Sequence, residues 1–228
     1  MGIIDKEQLR IKLDEVIWKM EEARISVSEH HIVQMVAVGK YTEIENITTL
    51  YELGQRAFGE NQVQQLKERM AKLESLPLEW HMIGRLQKNK INNLIDLNPT
   101  LMHSLDSLIL AEELNKKLTA KEATMNCLLQ INSAREESKA GVTPEEAVDI
   151  YQQIREKYPH INLKGVMTIG AHTDDEVLIR QSFETTHKIF ENLKKEGATI
   201  CSMGMSTDYP LAIKCGSNLV RIGSALFK

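Results

Sequence analysis

The sequence predicts an α/β fold, a single (β/α)8 barrel of the TIM type with an extra helix at its N-terminus. Short apolar runs alternate along the chain with longer segments of helical periodicity. Eight such runs occur, and eight strands close a parallel barrel of this type. The chain has 228 residues, which suits one such barrel. We therefore expect one barrel domain over residues 1–228.

The elements follow one another in the order that a barrel requires. Residues 5–26 place apolar side chains at helical spacing among charges, so they predict a helix before the first strand. The predicted strands are residues 32–38, 56–59, 80–84, 100–104, 125–132, 163–169, 200–203 and 218–222. Strands that alternate with helices indicate parallel pairing through right-handed crossovers.

Capping residues mark several of the predicted helix ends. Thr143, followed by proline and two glutamates, predicts a helix start, and Thr173 stands in a similar pattern. Asn61 is a weaker start signal. Gly54 and Gly197 lie where a left-handed residue commonly ends a helix.

An open, doubly wound sheet is the alternative fold. That fold usually carries a glycine-rich phosphate turn after its first strand. Here the first strand ends in Val38-Gly39-Lys40 without a GxGxxG pattern. The closed barrel is therefore the preferred prediction.

Composition narrows the function classes. The formal net charge is −4 without a long run of one sign, which argues against nucleic acid as a partner. No apolar stretch is long enough for a membrane span, and the N-terminal segment is too charged for a secretory signal. Cys127, Cys201 and Cys215 are scattered, which predicts reduced thiols and neither disulfides nor zinc. We expect a cytoplasmic protein without a metal site.

Lys40 stands at the end of the first predicted strand. Active sites of (β/α)8 barrels lie at the carboxyl ends of the strands, so this lysine faces the functional end. An amine over the barrel mouth is expected to be partly desolvated and suited to a Schiff base with an aldehyde. A solvated loop lysine is the alternative interpretation.

The last two predicted strands lead into small and hydroxyl-bearing residues. Ser206 and Ser224 follow strands seven and eight, whose loops bind phosphate in many barrels. Backbone N–H groups at a helix start and two hydroxyls suit a phosphate dianion, although a helix cap explains either serine alone. Arg221 lies within strand eight, where burial requires either a ligand or a core carboxylate. A phosphorylated aldehyde fits both Lys40 and the phosphate loops.

Other polar residues leave alternatives open. Asn61 is either a helix cap or a ligand contact, and His81 is either a satisfied core residue or a base. Lys88 and Lys90 form a basic patch that is either solvated or attractive to phosphate. Lys139 lies in a long polar loop on the same predicted face, and long loops in compact barrels are often functional.

Motifs along the whole chain resemble the YggS/PROSC-type pyridoxal phosphate (PLP) homeostasis proteins, whose barrel is similar to the N-terminal domain of alanine racemase. The resemblance extends from Val36 to Phe227. The motifs are AVGK, FGENQVQ, WHMIGRLQKNK, HSLDS, LLQIN, EESKAG, GVMTIG, SMGMS and VRIGSALF, in that order.

The resemblance implies a PLP-binding protein of intracellular vitamin B6 and amino-acid homeostasis, without an established catalytic residue or turnover. It implies a Schiff base on Lys40 and an arginine near the pyridine nitrogen, which makes the ring a weak electron sink. PLP-dependent apoenzymes are the implied recipients. The implied cofactor residues are Lys40, Asn61, Met205, Ser206, Arg221, Gly223 and Ser224.

One departure and one alternative accompany the resemblance. Gly39 stands where the family usually has serine, and the lost hydroxyl could alter cofactor retention. The alternative function is a PLP-dependent amino-acid racemase, which needs a second domain that supplies a tyrosine and completes a dimer. The sequence ends at Lys228, shortly after strand eight, so we expect a monomer. Tyr209 is the tyrosine that could approach the mouth. A phosphosugar barrel enzyme without PLP leaves the lysine motif unexplained.

Overall fold

The structure, a computed structural model that describes residues 2–228, is a closed barrel of eight parallel strands. Each strand pairs with the next along the chain, and the last strand pairs with the first. The strands are β1 (Gln34–Val38), β2 (Ala57–Glu60), β3 (Glu79–Met82), β4 (Leu101–Leu105), β5 (Met125–Ile131), β6 (Ile161–Thr168), β7 (Ile200–Ser202) and β8 (Leu219–Ile222). The predicted barrel is confirmed.

Helices fill the connections on the outside of the barrel. They are α1 (Lys6–Val27), α2 (Ile44–Glu52), α3 (Val63–Lys72), α4 (Ile91–Leu97), α5 (Leu108–Ala120), α6 (Ala147–Lys157), α7 (Glu176–Leu193), α8 (Tyr209–Lys214) and α9 (Ser224–Phe227). Short 3-10 turns lie at Lys88–Lys90 and Lys194–Glu196. No helix within residues 2–228 is both long enough and apolar enough to cross a membrane.

The additional N-terminal helix is also confirmed. The Asp5 side chain accepts a hydrogen bond from the backbone N–H of Glu7 and so caps α1. The helix packs against α8 and α9. Its buried residues recur every three or four positions, which is why one face joins the core: Leu9, Leu13, Val16, Met20 and Ala23.

The barrel interior has an apolar layer and a polar layer. Val36, Leu101, Leu128, Met167 and Leu219 form a cluster separate from the main core. Residues two positions further along a strand share the same face. The interior face therefore continues from Leu101 to His103 and from Leu219 to Arg221, toward the carboxyl ends of the strands. This polar layer lies beneath the barrel mouth.

Two predicted helix starts are displaced. The helix expected at Thr143 begins at Ala147, because Val142 is held in a β-bridge to Ile131 and residues 144–146 form a turn. Asp175 caps α7 instead of Thr173, since its side chain accepts from the Val177 N–H at 2.8 Å.

The other helix signals have mixed outcomes. Gln62 takes the N-cap position of α3, one residue after Asn61, so Asn61 is not the cap. Gly54 (φ 106°) and Gly197 (φ 85°) adopt the left-handed conformations expected after α2 and α7.

Candidate functional site

A cavity of about 390 Å³ opens at the carboxyl ends of β1, β7 and β8. Its volume lies within the range of small-molecule sites, roughly 300–1,000 Å³. Six of the seven predicted cofactor residues line it: Lys40, Met205, Ser206, Arg221, Gly223 and Ser224. The structure thus brings together one lysine from the first strand and the loops of the last two strands.

Lys40 lies in a tight turn that follows β1. The backbone N–H of Thr42 donates to the Gly39 carbonyl at 3.0 Å and closes the turn. Lys40 itself is exposed, with its Nζ 5.8 Å from the centre of the Tyr41 ring. Lys40 thus lines the cavity with an exposed side chain, and its expected partial desolvation stays a prediction.

Tyr41 has an uncommon backbone conformation. Its φ of 69° places it in the left-handed region, at the third position of the turn, where glycine or asparagine is usual. Such a conformation costs on the order of 1–3 kcal/mol and persists only where its surroundings enforce it. The surroundings of Tyr41 therefore hold it in a backbone conformation that is unfavourable for tyrosine.

Ser206 organises the opposite wall of the cavity. Its Oγ accepts hydrogen bonds from the backbone N–H groups of Gly223 at 3.0 Å and Ala225 at 3.1 Å. A serine hydroxyl accepts two hydrogen bonds and donates one. With both acceptor positions filled, the Ser206 hydrogen can be donated to a ligand oxygen or to water. This wall therefore presents the Ser206 hydroxyl to the cavity.

Packing within the protein does not require glycine at position 223. A Cβ added there would lie 3.4 Å from the Val38 Cβ, which is an ordinary contact. Glycine is also selected where backbone must approach a ligand closely. Gly223 therefore leaves the backbone of this wall open to a close approach by a ligand.

Arg221 is almost wholly buried, with 5% of its surface exposed. Its guanidinium donates to Ser202 Oγ at 2.6 Å and to the Thr168 carbonyl at 2.8 Å. No carboxylate lies within ion-pair distance of it in residues 2–228, so the predicted alternative of a core carboxylate partner is wrong. Burial lowers the Arg221 pKa to about 10, and the charge of Asp208 opposes that shift. The group therefore remains protonated at neutral pH.

Two histidines continue this polar layer across the barrel. His103 Nδ1 lies 3.2 Å from Ser202 Oγ, and His103 Nε2 lies 2.9 Å from His81 Nδ1. Burial lowers the pKa of His81 to about 4 and holds the pKa of His103 well below its usual range, so both rings are neutral at pH 7. His81 is therefore buried in the core and hydrogen-bonded through Nδ1.

The hydrogen-bond donors in this network of side chains can be assigned by starting from Arg221. Since Ser202 Oγ accepts from Arg221, its own hydrogen is available to His103 Nδ1. His103 Nε2 then carries a hydrogen and donates it to His81 Nδ1. His81 Nε2 has no partner among the described residues. Sequence analysis did not assign His103 a role, although strand alternation places both rings inside the barrel.

Two predicted contacts are absent from this cavity. Asn61 is half-buried in the turn after β2 and does not line the cavity, so its contact with a cofactor stays a prediction. Tyr209 is buried in the core at the start of α8, with 3% of its surface exposed. It does not line the cavity either.

The remaining lysines have separate surroundings. Lys88 and Lys90 are exposed in a short 3-10 turn and do not line the cavity. Lys139 donates to Glu136 Oε1 at 2.8 Å and to the Gly170 carbonyl at 2.7 Å, which ties the loop after β5 to the loop after β6.

The cysteines and acidic residues add no redox or metal centre to this face. All three cysteines are free and buried, as predicted, and burial raises the pKa of Cys127 and Cys201. Across residues 2–228, no group of three histidine, cysteine or acidic side chains could hold a metal ion.

Comparison with known proteins adds to this geometry. Residues 11–228 match the family described as alanine racemase, N-terminal domain. The pyridoxal phosphate homeostasis protein of Helicobacter pylori is 58% identical over 219 residues, which cover 96% of this chain and 98% of that protein. The structure of PipY from Synechococcus elongatus with PLP bound has a TM-score of 0.82 and 28% identity, and the match covers 96% of this chain and 100% of that one.

A more distant likeness concerns the fold alone. Alanine racemase of Clostridium difficile in complex with cycloserine is 17% identical and has a TM-score of 0.77. The match covers 100% of this chain and 60% of the racemase chain. The same type of barrel therefore occurs there within a longer protein.

Proposed function

Because this chain belongs to the family of pyridoxal phosphate homeostasis proteins, we propose that it binds PLP as a Schiff base on Lys40 and acts in intracellular PLP and amino-acid homeostasis. The observation that carries the proposal is the cavity itself. Lys40 lies on one wall, and Ser206, Gly223 and Ser224 lie on the other. An aldehyde and a phosphate on one small molecule match these two walls.

The residues present suit each part of the cofactor. Lys40 would hold the cofactor through its aldehyde carbon, with water as the leaving group. The Ser206 hydroxyl, whose oxygen accepts from two backbone N–H groups, would donate its hydrogen to a phosphate oxygen. Arg221 lines the cavity and would donate to the pyridine nitrogen. Met205 would contact the cofactor, and Asn61, which does not line the cavity, stays in the proposed set as a prediction.

We propose that this site has no enzymatic turnover. PLP supplies an aldehyde that captures amines and a ring that withdraws electrons when its nitrogen is protonated. Arg221 keeps its own proton at neutral pH and therefore leaves the ring nitrogen unprotonated. The buried Tyr209 lies away from the cavity and supplies no opposing base. Both features count against the racemase alternative.

The proposal extends to the state of the protein. We infer a single barrel domain over residues 1–228 that acts as a cytoplasmic monomer and delivers PLP to PLP-dependent apoenzymes. The three free cysteines support a reducing compartment. The closed barrel, with every strand paired on both sides, supports a protein that needs no partner to complete its sheet.

The visible absorption spectrum tests the proposal. Purified protein with added PLP is compared with Lys40→Ala before and after borohydride, and Lys88→Ala serves as a nearby lysine control. We expect an imine band in the wild type and in Lys88→Ala that borohydride abolishes, and no band in Lys40→Ala. A wild type that takes up no PLP would refute the proposal. Rapid racemisation of alanine would instead restore the racemase alternative.

A further inference from the structure

We propose that Arg69 and Glu60 are positioning residues that hold the turn bearing Lys40 in the shape from which it reacts. Nothing in the sequence motifs assigns a role to this pair. The inference rests on the proposed function of Lys40 and adds the part of the protein that sets its approach to the aldehyde.

Arg69 donates hydrogen bonds to the backbone of this turn at two points. It lies on α3 with 5% of its surface exposed. Its Nη1 donates to the Gly39 carbonyl at 2.5 Å, and its Nη2 donates to the Thr42 carbonyl at 2.7 Å. These two carbonyls flank Lys40 and Tyr41, so one rigid, planar guanidinium fixes both ends of the turn.

Glu60 holds the guanidinium in place. It ends β2, is fully buried, and forms an ion pair with Arg69 Nη1. A buried charge needs a partner, so each member of the pair secures the other. Glu60 belongs to β2, which pairs with β1. We call the Glu60–Arg69 pair the clamp; the pairing of β2 with β1 anchors it to the barrel. The clamp therefore connects the turn to two elements besides its own strand.

The turn needs such a clamp because of Tyr41. Its left-handed conformation is unfavourable for a tyrosine, so an unrestrained turn would relax toward other shapes. The Gly39 carbonyl already accepts from the Thr42 N–H, and the bond from Arg69 fills its second acceptor position. The clamp thus selects the conformation that directs Lys40 into the cavity.

The clamp also accounts for Gly39. A Cβ at this position would lie 2.6 Å from Glu60 Oε1 and closer still to Arg69 Nη1. Both contacts are too close for any real side chain. Gly39 and the buried Glu60–Arg69 pair therefore form one packed unit.

The test compares Arg69→Met and Arg69→Lys with the wild type and with Arg24→Met. Arg24 is a matched control, because it also pairs with a glutamate and donates to two backbone carbonyls, those of Glu29 and His31, but before β1 begins. Circular dichroism and thermal melting establish that each variant folds. Arg69→Lys keeps the charge and cannot span both carbonyls, so it decides the question if Arg69→Met does not fold.

Three readouts separate positioning from a general loss of structure. For both Arg69 variants, the rate of imine formation with PLP should fall by about tenfold or more, since small misplacements of a reacting group have effects of that size. Hydrogen exchange of the segment 36–44 in the PLP-free protein should accelerate by about tenfold. Binding of pyridoxine 5′-phosphate, which has no aldehyde, should change by less than about twofold. The proposed phosphate contacts, Ser206, Gly223 and Ser224, do not involve Arg69. Arg24→Met should match the wild type in all three.

Each outcome is decisive. Folded Arg69 variants with wild-type imine formation and wild-type exchange overturn the inference. Equal losses in imine formation and in pyridoxine 5′-phosphate binding also overturn it, because they indicate a general structural role. A wild type that forms no imine contradicts the proposed function of Lys40. In that case the exchange data still show whether Arg69 holds the turn.

Discussion

Replacing Gly39 by serine tests the packing beside the proposed cofactor lysine. By the resemblance to the family, serine is the expected residue at this position. In this structure its Cβ would lie 2.6 Å from Glu60 Oε1, closer to Arg69 Nη1, and 3.3 Å from Ile47 Cδ1. The serine can be accommodated only if the Arg69 guanidinium moves away from the turn.

The magnitude follows from what the guanidinium then loses. Its bond to the Gly39 carbonyl is a hydrogen bond from a charged group, worth roughly 1.5–3 kcal/mol. Forcing extra atoms into a packed site costs roughly 1–3 kcal/mol. If the guanidinium moves away only in part, it relieves part of the overlap with the serine, and the two costs do not add in full. We therefore expect Gly39→Ser to destabilise the protein by about 3 kcal/mol. In a chain of this length that corresponds to a melting temperature lower by about 6–12 °C.

The assay is urea denaturation of the PLP-free protein, followed by circular dichroism. Gly223→Ala is the control, because its Cβ has room and should leave stability unchanged. Combining Gly39→Ser with Arg69→Lys should restore about half of the loss, since the shorter side chain vacates the space of Nη1. A Gly39→Ser protein as stable as the wild type would show that the buried pair tolerates a side chain here, and the packing argument would be refuted.

Three further predictions concern the cavity and the buried histidines. Gly223→Ala should weaken PLP binding by about tenfold in a spectroscopic titration, about 1.4 kcal/mol, while thermal stability stays constant; unchanged affinity would contradict the close approach of a ligand. Ser206→Ala leaves the N–H groups of Gly223 and Ala225 without their acceptor, so it should cost about 1 kcal/mol in urea denaturation and also weaken PLP binding. The depressed pKa values of His81 and His103 mean that the unfolded chain binds protons first as the pH falls below about 6.5. Stability should therefore drop by about 2 kcal/mol from His81 alone between pH 7 and pH 5, and a flat profile in PLP-free protein would contradict the neutral pair.

Strand positions were predictable from sequence because parallel barrel strands are buried on both faces. Each of the eight apolar runs coincides with a strand to within two residues at either end. The observed β5, Met125–Ile131, differs from its prediction by one residue. Helix starts were less predictable, because residues ahead of a helix can pair with a strand instead of joining the helix. Val142, for example, pairs with β5 and so delays α6.

The buried polar groups were the part of the site that sequence patterns could not assign. Glu60 and Arg69 lie on different elements, so their spacing along the chain carries no helical or strand period. His81 and His103 meet only because β3 and β4 are neighbours in the barrel. Each of these contacts depends on how two elements pack, which local propensity does not encode.

Closure of the barrel is what makes a single site from distant parts of the chain. Lys40 follows the first strand, whereas Arg221 and Gly223 belong to the last. β1 and β8 pair directly, with Val36 opposite Arg221, so Lys40 and the residues after β8 come from adjacent strands. In the alternative open sheet, the first and last strands would not close on each other, and these residues would not need to share a cavity. The site therefore supports the closed topology as much as the topology supports the site.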